Sequence, residues 1–197
     1  MPVVPHYDLR GVQVVIAHPR DHHGELLFRY LQRLGCIVEF SWPPAVPPVQ
    51  SIDVLFCAVD EQARRLLEIY SSRTTTAVVG VSDPYNMGTL RLLRDLTPHA
   101  VLNKPFEPPA ILTNLITARS NLRYQRRLLS KVAKLEETLR SFRRVELAKN
   151  ILMETRKINE PAAYAYLREQ AMRRRVSIGA VASVVIDSST VLSPEIG

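Results

Sequence analysis

The chain has 197 residues, 46% of them hydrophobic and 23% charged, enough for one sizeable core and a second smaller one, so two domains are expected. Its net charge of +7 is concentrated: residues 119–175 hold 16 Lys+Arg against 6 Asp+Glu, whereas residues 1–118 hold 10 against 11. Two cysteines in apolar runs, no metal-ligand spacing, no cationic leader with an apolar run and no stretch of bilayer-spanning length argue against a disulfide scaffold, a metal centre, export and membrane insertion. The expectation is a cytoplasmic protein without a cofactor.

The N-terminal half reads as alternating strands and helices. Val12 to Ala17 is a continuous apolar run, and a helix from about His22 to Leu34 ends at Gly35. Cys36 to Phe40, Ile52 to Val59, Thr76 to Val81 and Ala100 to Leu102 supply four more strands. Five strands with intervening helices predict a flavodoxin-like α/β fold, a doubly wound parallel sheet. Between the second and third strands, Ser41-Trp42-Pro43-Pro44-Ala45-Val46-Pro47-Pro48 places four prolines where a helix is due, and this link is expected to be extended or only briefly helical.

This order resembles the receiver domain of response regulators, with Lys104-Pro105-Phe106 and Ser82 fitting that family's lysine-proline element and switch hydroxyl. The phosphorylation apparatus departs from the pattern. Ala17-His18-Pro19 stands where receivers carry paired acids, and Ala58 stands at the phosphoacceptor aspartate. Alanine has nothing to accept a phosphoryl group. Asp21 and Asp60 are displaced by a few residues and give no clustered acidic pocket for a metal ion. His18, His22 and His23 are expected to be surface histidines near a helix start rather than a metal or catalytic cluster, since Pro19 prevents His18 and His22 from sharing a helical face.

A long helix is expected from Glu107 or Pro108 to about Lys157, with Ile111, Leu115 and Ile116 packing on the receiver-like domain. Farther along, Leu128, Val132, Leu135, Leu139 and Phe142 alternate at spacings of four and three, a coiled-coil seam that predicts a homodimer. Asn159-Glu160-Pro161 then combines an N-cap, an early acid and an early proline, and Ala163, Tyr166, Leu167 and Ala171 continue at helical spacing. Another helix starts at Ser177, with Ile178, Val181, Ala182 and Val185 following. Three short helical runs with crowded basic faces attract a polyanion.

Residues 148–186 resemble the ANTAR domain, the RNA-binding module of AmiR- and NasR-type transcription antitermination regulators, through Ala148-Lys149, Leu152-Met153, Ala163-Tyr164, Leu167-Arg168, Ala171-Met172 and Val181-Ala182. The length and layout of the whole chain resemble the amidase-operon antiterminators of that family. The resemblance implies binding to stem-loops in nascent leader RNA, which prevents a terminator hairpin from forming, under the control of a separate ligand-sensing protein that sequesters the regulator.

The expected organisation is therefore a receiver-like domain over 1–118, a dimerising coiled-coil helix over 119–145, a three-helix RNA-binding domain over 146–190 and a tail over 191–197. No catalysis is expected. Lys149, Arg168, Arg173, Arg174 and Arg175 are the candidate phosphate contacts, and Tyr164 either stacks on or bonds a loop base or packs in the core. Leu152, Met153, Leu167, Ala171, Val181 and Ala182 are assigned to that core. The competing readings are a phosphorylation-dependent response regulator, which Ala58 disfavours, and a duplex-DNA activator, disfavoured because Ser177 to Ile186 has no Arg, Lys, Asn or Gln to read base edges. A coiled-coil adaptor without nucleic acid leaves the basic segment unexplained.

Overall fold

A computed structural model describes residues 9–44, 52–83 and 87–192, with the side chains of the last three left out. The chain packs as two compact units, one up to Arg127 and one from Leu128 onward.

In the first unit, strands β1 (Gln13–Ala17), β2 (Ile37–Phe40), β3 (Val54–Ala58), β4 (Ala77–Ser82) and β5 (Ala100–Asn103) form one parallel sheet in the order β2-β1-β3-β4-β5. Helices α1 (His22–Arg33), α2 (Arg64–Ser71) and α3 (Met87–Leu96) connect them, and α4 (Pro108–Arg156) follows β5. This is the flavodoxin-like order expected from the sequence. The apolar runs are continuous because both faces of the central strands are covered. Val14, Ile16, Phe56 and Val79 face a core shared with Leu27 and Leu31 of α1 and with Ile111, Leu115, Ala118 and Leu122 of α4. Val15, Ala17, Leu55 and Val78 face the other, with Leu66, Leu67 and Tyr70 of α2 and Leu92 of α3. Cys36 and Cys57 are buried free thiols, as expected, and burial pushes the Cys57 thiol far up.

Asp21 caps α1 by accepting from Gly24 N–H at 2.8 Å, and Gly35 leaves that helix at φ 86°, where a Cβ is disfavoured. Ser41 to Pro44 carry no helix, while Ala45-Val46-Pro47-Pro48 of the proline-rich link lies outside the described residues.

In the second unit, the end of α4 packs with α5 (Glu160–Arg174) and α6 (Ile178–Leu192). Asn159 caps α5, its side chain accepting from Ala162 N–H at 3.0 Å. Arg175 closes the helix in the left-handed conformation at φ 57°, a position costing about 1 kcal/mol for a residue with a Cβ. Ser177 then caps α6 by accepting from Ala180 N–H at 3.2 Å. Val145, Ala148, Leu152, Ala163, Leu167, Ala171, Val181 and Ala182 form the core, with Met153, Tyr166 and Val185 partly buried around it. Four alanines among eight residues let the helices approach closely. Gly179 extends that contact, since a Cβ there would collide with Ser141 Oγ on α4.

Candidate nucleic-acid interface

Two places among the described residues are candidates for a ligand: the carboxyl end of the sheet, where doubly wound folds bind, and the basic surface of the helical unit.

Parallel α/β sheets bind ligands beyond the carboxyl ends of their strands where the strand order reverses, here between β1 and β3. Those strands end at Ala17 and Ala58, both buried, and neither offers an oxygen. Asp21 is the α1 cap, and Asp60 accepts from Ala63 N–H at 2.8 Å ahead of α2. Both neighbouring acids are thus occupied by backbone amides. Ser82 donates its hydroxyl to Asn103 Oδ1 at 2.5 Å, so the group at the switch-hydroxyl position is tied to β5.

His18 corrects the expectation of a surface histidine: it is completely buried, although His22 is exposed and His23 half-buried. It directly follows β1, whose last four residues are all buried, and its ring is enclosed with them. Burial lowers its pKa, opposed by the contact of Nδ1 with Pro19 O at 2.8 Å, so the buried ring favours the neutral form. Among the described residues there is no group of three or more His, Cys, Asp or Glu placed to hold a metal.

The helical unit is different. Arg168, Arg173, Arg174 and Arg175 are all exposed, on the last two turns of α5 and its cap. Arg173 pairs with Glu169 at 2.9 Å, an exposed pair one turn apart that is worth only tenths of a kcal/mol and yields readily to a phosphate. Tyr164 is 47% exposed, so its ring is not a core side chain. It lines a groove of about 610 Å³ together with Phe142, Ile178, Lys134, Glu137 and Glu146.

Lys149 leaves the phosphate set. It is only 7% exposed, and its Nζ lies 2.9 Å from Glu146 Oε1 and 2.6 Å from Glu160 Oε1. Hydrogen bonds to the two carboxylates raise its pKa, and the bond from Lys149 lowers that of Glu160. The ammonium therefore joins α4 to the start of α5. From the sequence, Lys149 is one more cation on a basic helix, because the eleven residues to Glu160 include a helix turn whose geometry decides the contact.

Arg156 is a further exposed cation, at the end of α4. Its guanidinium lies 4.2 Å above the centre of the Tyr166 ring and donates to the Tyr166 hydroxyl at 3.1 Å. No spacing rule signals this contact, which spans the α4–α5 turn. The seam residues Leu128, Val132, Leu135, Leu139 and Phe142 are between 43% and 64% exposed, and every residue from Lys131 to Arg140 is exposed.

A family model described as "AmiR, N-terminal" matches residues 12–119, and one described as "ANTAR domain" matches residues 133–186. The chain is 29% identical over 184 residues to the aliphatic amidase regulator of Pseudomonas aeruginosa, covering 90% of this chain and 92% of that protein. It is 34% identical over 95 residues to the transcriptional regulatory protein PdtaR of Mycobacterium tuberculosis, covering 48% of this chain and 46% of that one. Among solved structures, the response regulator StyR matches with a TM-score of 0.50 at 15% identity, covering 89% of this chain and 98% of that chain, a likeness of fold alone. Among the described residues, no helix is long and apolar enough to cross a membrane.

Proposed function

The chain belongs to the AmiR family of antitermination regulators, a receiver-like domain followed by an ANTAR domain, and from that membership we propose that it binds stem-loops of nascent leader RNA as a homodimer, held in check by a ligand-sensing partner protein. The observation that carries the reading is the cluster of exposed arginines, Arg168, Arg173, Arg174 and Arg175, on the part of the chain that matches the ANTAR domain. Such a cluster neutralises phosphate and releases counterions. Helix α6 has no Arg, Lys, Asn or Gln over Ile178 to Ile186, so it lacks the side chains that read duplex DNA in a major groove. The buried Ala58 gives control no phosphoacceptor at that position, which favours regulation by a partner protein.

The test compares wild type with the variant Arg168→Ala/Arg174→Ala in gel-shift competition between the leader RNA of the operon next to its gene and a duplex DNA of the same sequence. RNA is expected to compete better, and each lost phosphate contact is expected to flatten the salt dependence by roughly 0.7–0.9 of a log unit per log unit of salt. Both arginines are exposed, so helicity is expected to be retained. An unchanged salt slope in a folded double variant places the RNA surface elsewhere.

A further inference from the structure

A second groove, of about 340 Å³, opens between the end of α4, the middle of α5 and the face of α6. We propose that it receives one unpaired nucleobase from the loop of the bound RNA; this rests on the RNA-binding reading above and adds a base-recognition subsite to its arginine surface.

Three features of the groove point to a base. Its floor is apolar, with Ile151, Val181 and Val185 beneath and Val184, 54% exposed, at its side. Val184 thus leaves an exposed apolar surface on which a flat ring can lie. The cationic groups at its edge are Arg156 and Arg174, and no aspartate or glutamate lines it, so its charge complements a phosphodiester. The Arg156 guanidinium lies over the Tyr166 ring and donates to its hydroxyl, which sets a planar cation beside an aromatic ring on the groove's lining. RNA-binding modules take splayed loop bases on aromatic and guanidinium planes of this kind.

Size and charge distinguish this groove from the larger one beside Tyr164. At the lower end of the roughly 300–1,000 Å³ range of small-ligand clefts, it suits a single nucleotide and is too small for a helix. The larger groove sets Glu137 and Glu146 against Lys134 and Lys149, so its charges balance rather than favour phosphate, and it holds Phe142, which belongs to the proposed dimer seam. Gln170, at the rim of the smaller groove, has an amide able both to donate to and to accept from a base edge.

The experiment uses the full chain and a pool of RNA hairpins with randomised loops, photo-crosslinkable at the loop bases, alongside the four nucleoside monophosphates. Val184→Trp fills the groove from its exposed side, and Ser188→Trp on the rim replaces it should the first variant lose helicity. The proposal expects loop bases to crosslink to peptides covering residues 151–156 or 181–189. It also expects at least tenfold weaker hairpin binding by the tryptophan variant, with the salt slope of wild type, because a base contact is lost and no phosphate contact is. Wild-type affinity in the folded variant, or crosslinks confined to other peptides, overturns the base subsite and leaves RNA binding intact. No retention of hairpins by wild type overturns both readings, and monophosphate binding without hairpin binding makes the groove a free-nucleotide site and overturns the proposal.

Discussion

Replacing Leu135 and Leu139 by glutamate tests assembly with little interference from folding, because the two side chains are 64% and 59% exposed and bury little within their own chain. Fully burying a leucine contributes about 1.5–3 kcal/mol, so the exposed portion still has about 0.9–1.8 kcal/mol to give. A two-fold dimer holds four such side chains, for about 4–7 kcal/mol altogether. Their loss amounts to roughly three to five orders of magnitude in the dimer dissociation constant, before any penalty for placing glutamates in the seam. Glutamate is nearly as good a helix former as leucine, so propensity changes little. Residues 131–140 are exposed throughout, and a helix segment without a packing partner is marginal in water. The monomeric variant is therefore also expected to lose some helical signal from this stretch. Sedimentation velocity over a concentration series, with circular dichroism on the same samples, reads both effects. A variant that sediments as a dimer at the wild-type dissociation constant refutes the assignment of the seam and requires a different interface.

Incubation with a small phosphodonor and magnesium is expected to leave the intact mass unchanged, because Ala58 has no acceptor and Asp21 and Asp60 are bonded to backbone amides; a stable aspartyl phosphate on any residue contradicts this. Lys149→Met is expected to lower the melting temperature of the helical unit while leaving the salt slope of RNA binding unchanged, since the ammonium is held by Glu146 and Glu160. The same variant has a pH signature. With the pKa of Glu160 depressed, the contribution of the pair is present above the ordinary carboxylate range and lost as pH falls through the lowered folded value. With that of Lys149 raised, it is present below the ordinary lysine range and lost as pH rises through the raised folded value. Melting followed by circular dichroism is expected to show a smaller drop at both extremes in Lys149→Met than in wild type, and identical pH profiles reject the clamp.

The strands of the sheet and the three C-terminal helices were legible in the sequence because they rest on local signals, while the strand order followed only from the fold class that their alternation implies. Continuous apolar runs mark strands covered on both faces, Asn159-Glu160-Pro161 and Ser177 carry cap chemistry, and Ala58 rules out a phosphoacceptor at its position by its lack of an oxygen. These depend on residue type and spacing, which the chain states directly. The roles of individual polar side chains depended on distances across turns. Lys149 and Arg168 have the same formal charge on the same basic segment, yet one is buried between two carboxylates and the other is exposed. His18 is buried directly after β1, whereas its near neighbours His22 and His23 stay at least partly in solvent. Arg156 meets Tyr166 only because the α4–α5 turn folds the two helices together. Sequence determines which groups are available and the period at which they recur; tertiary packing decides which of them are engaged within the fold, because a charge such as that of Lys149 is withdrawn from a ligand when burial and opposite charges within bonding distance act together.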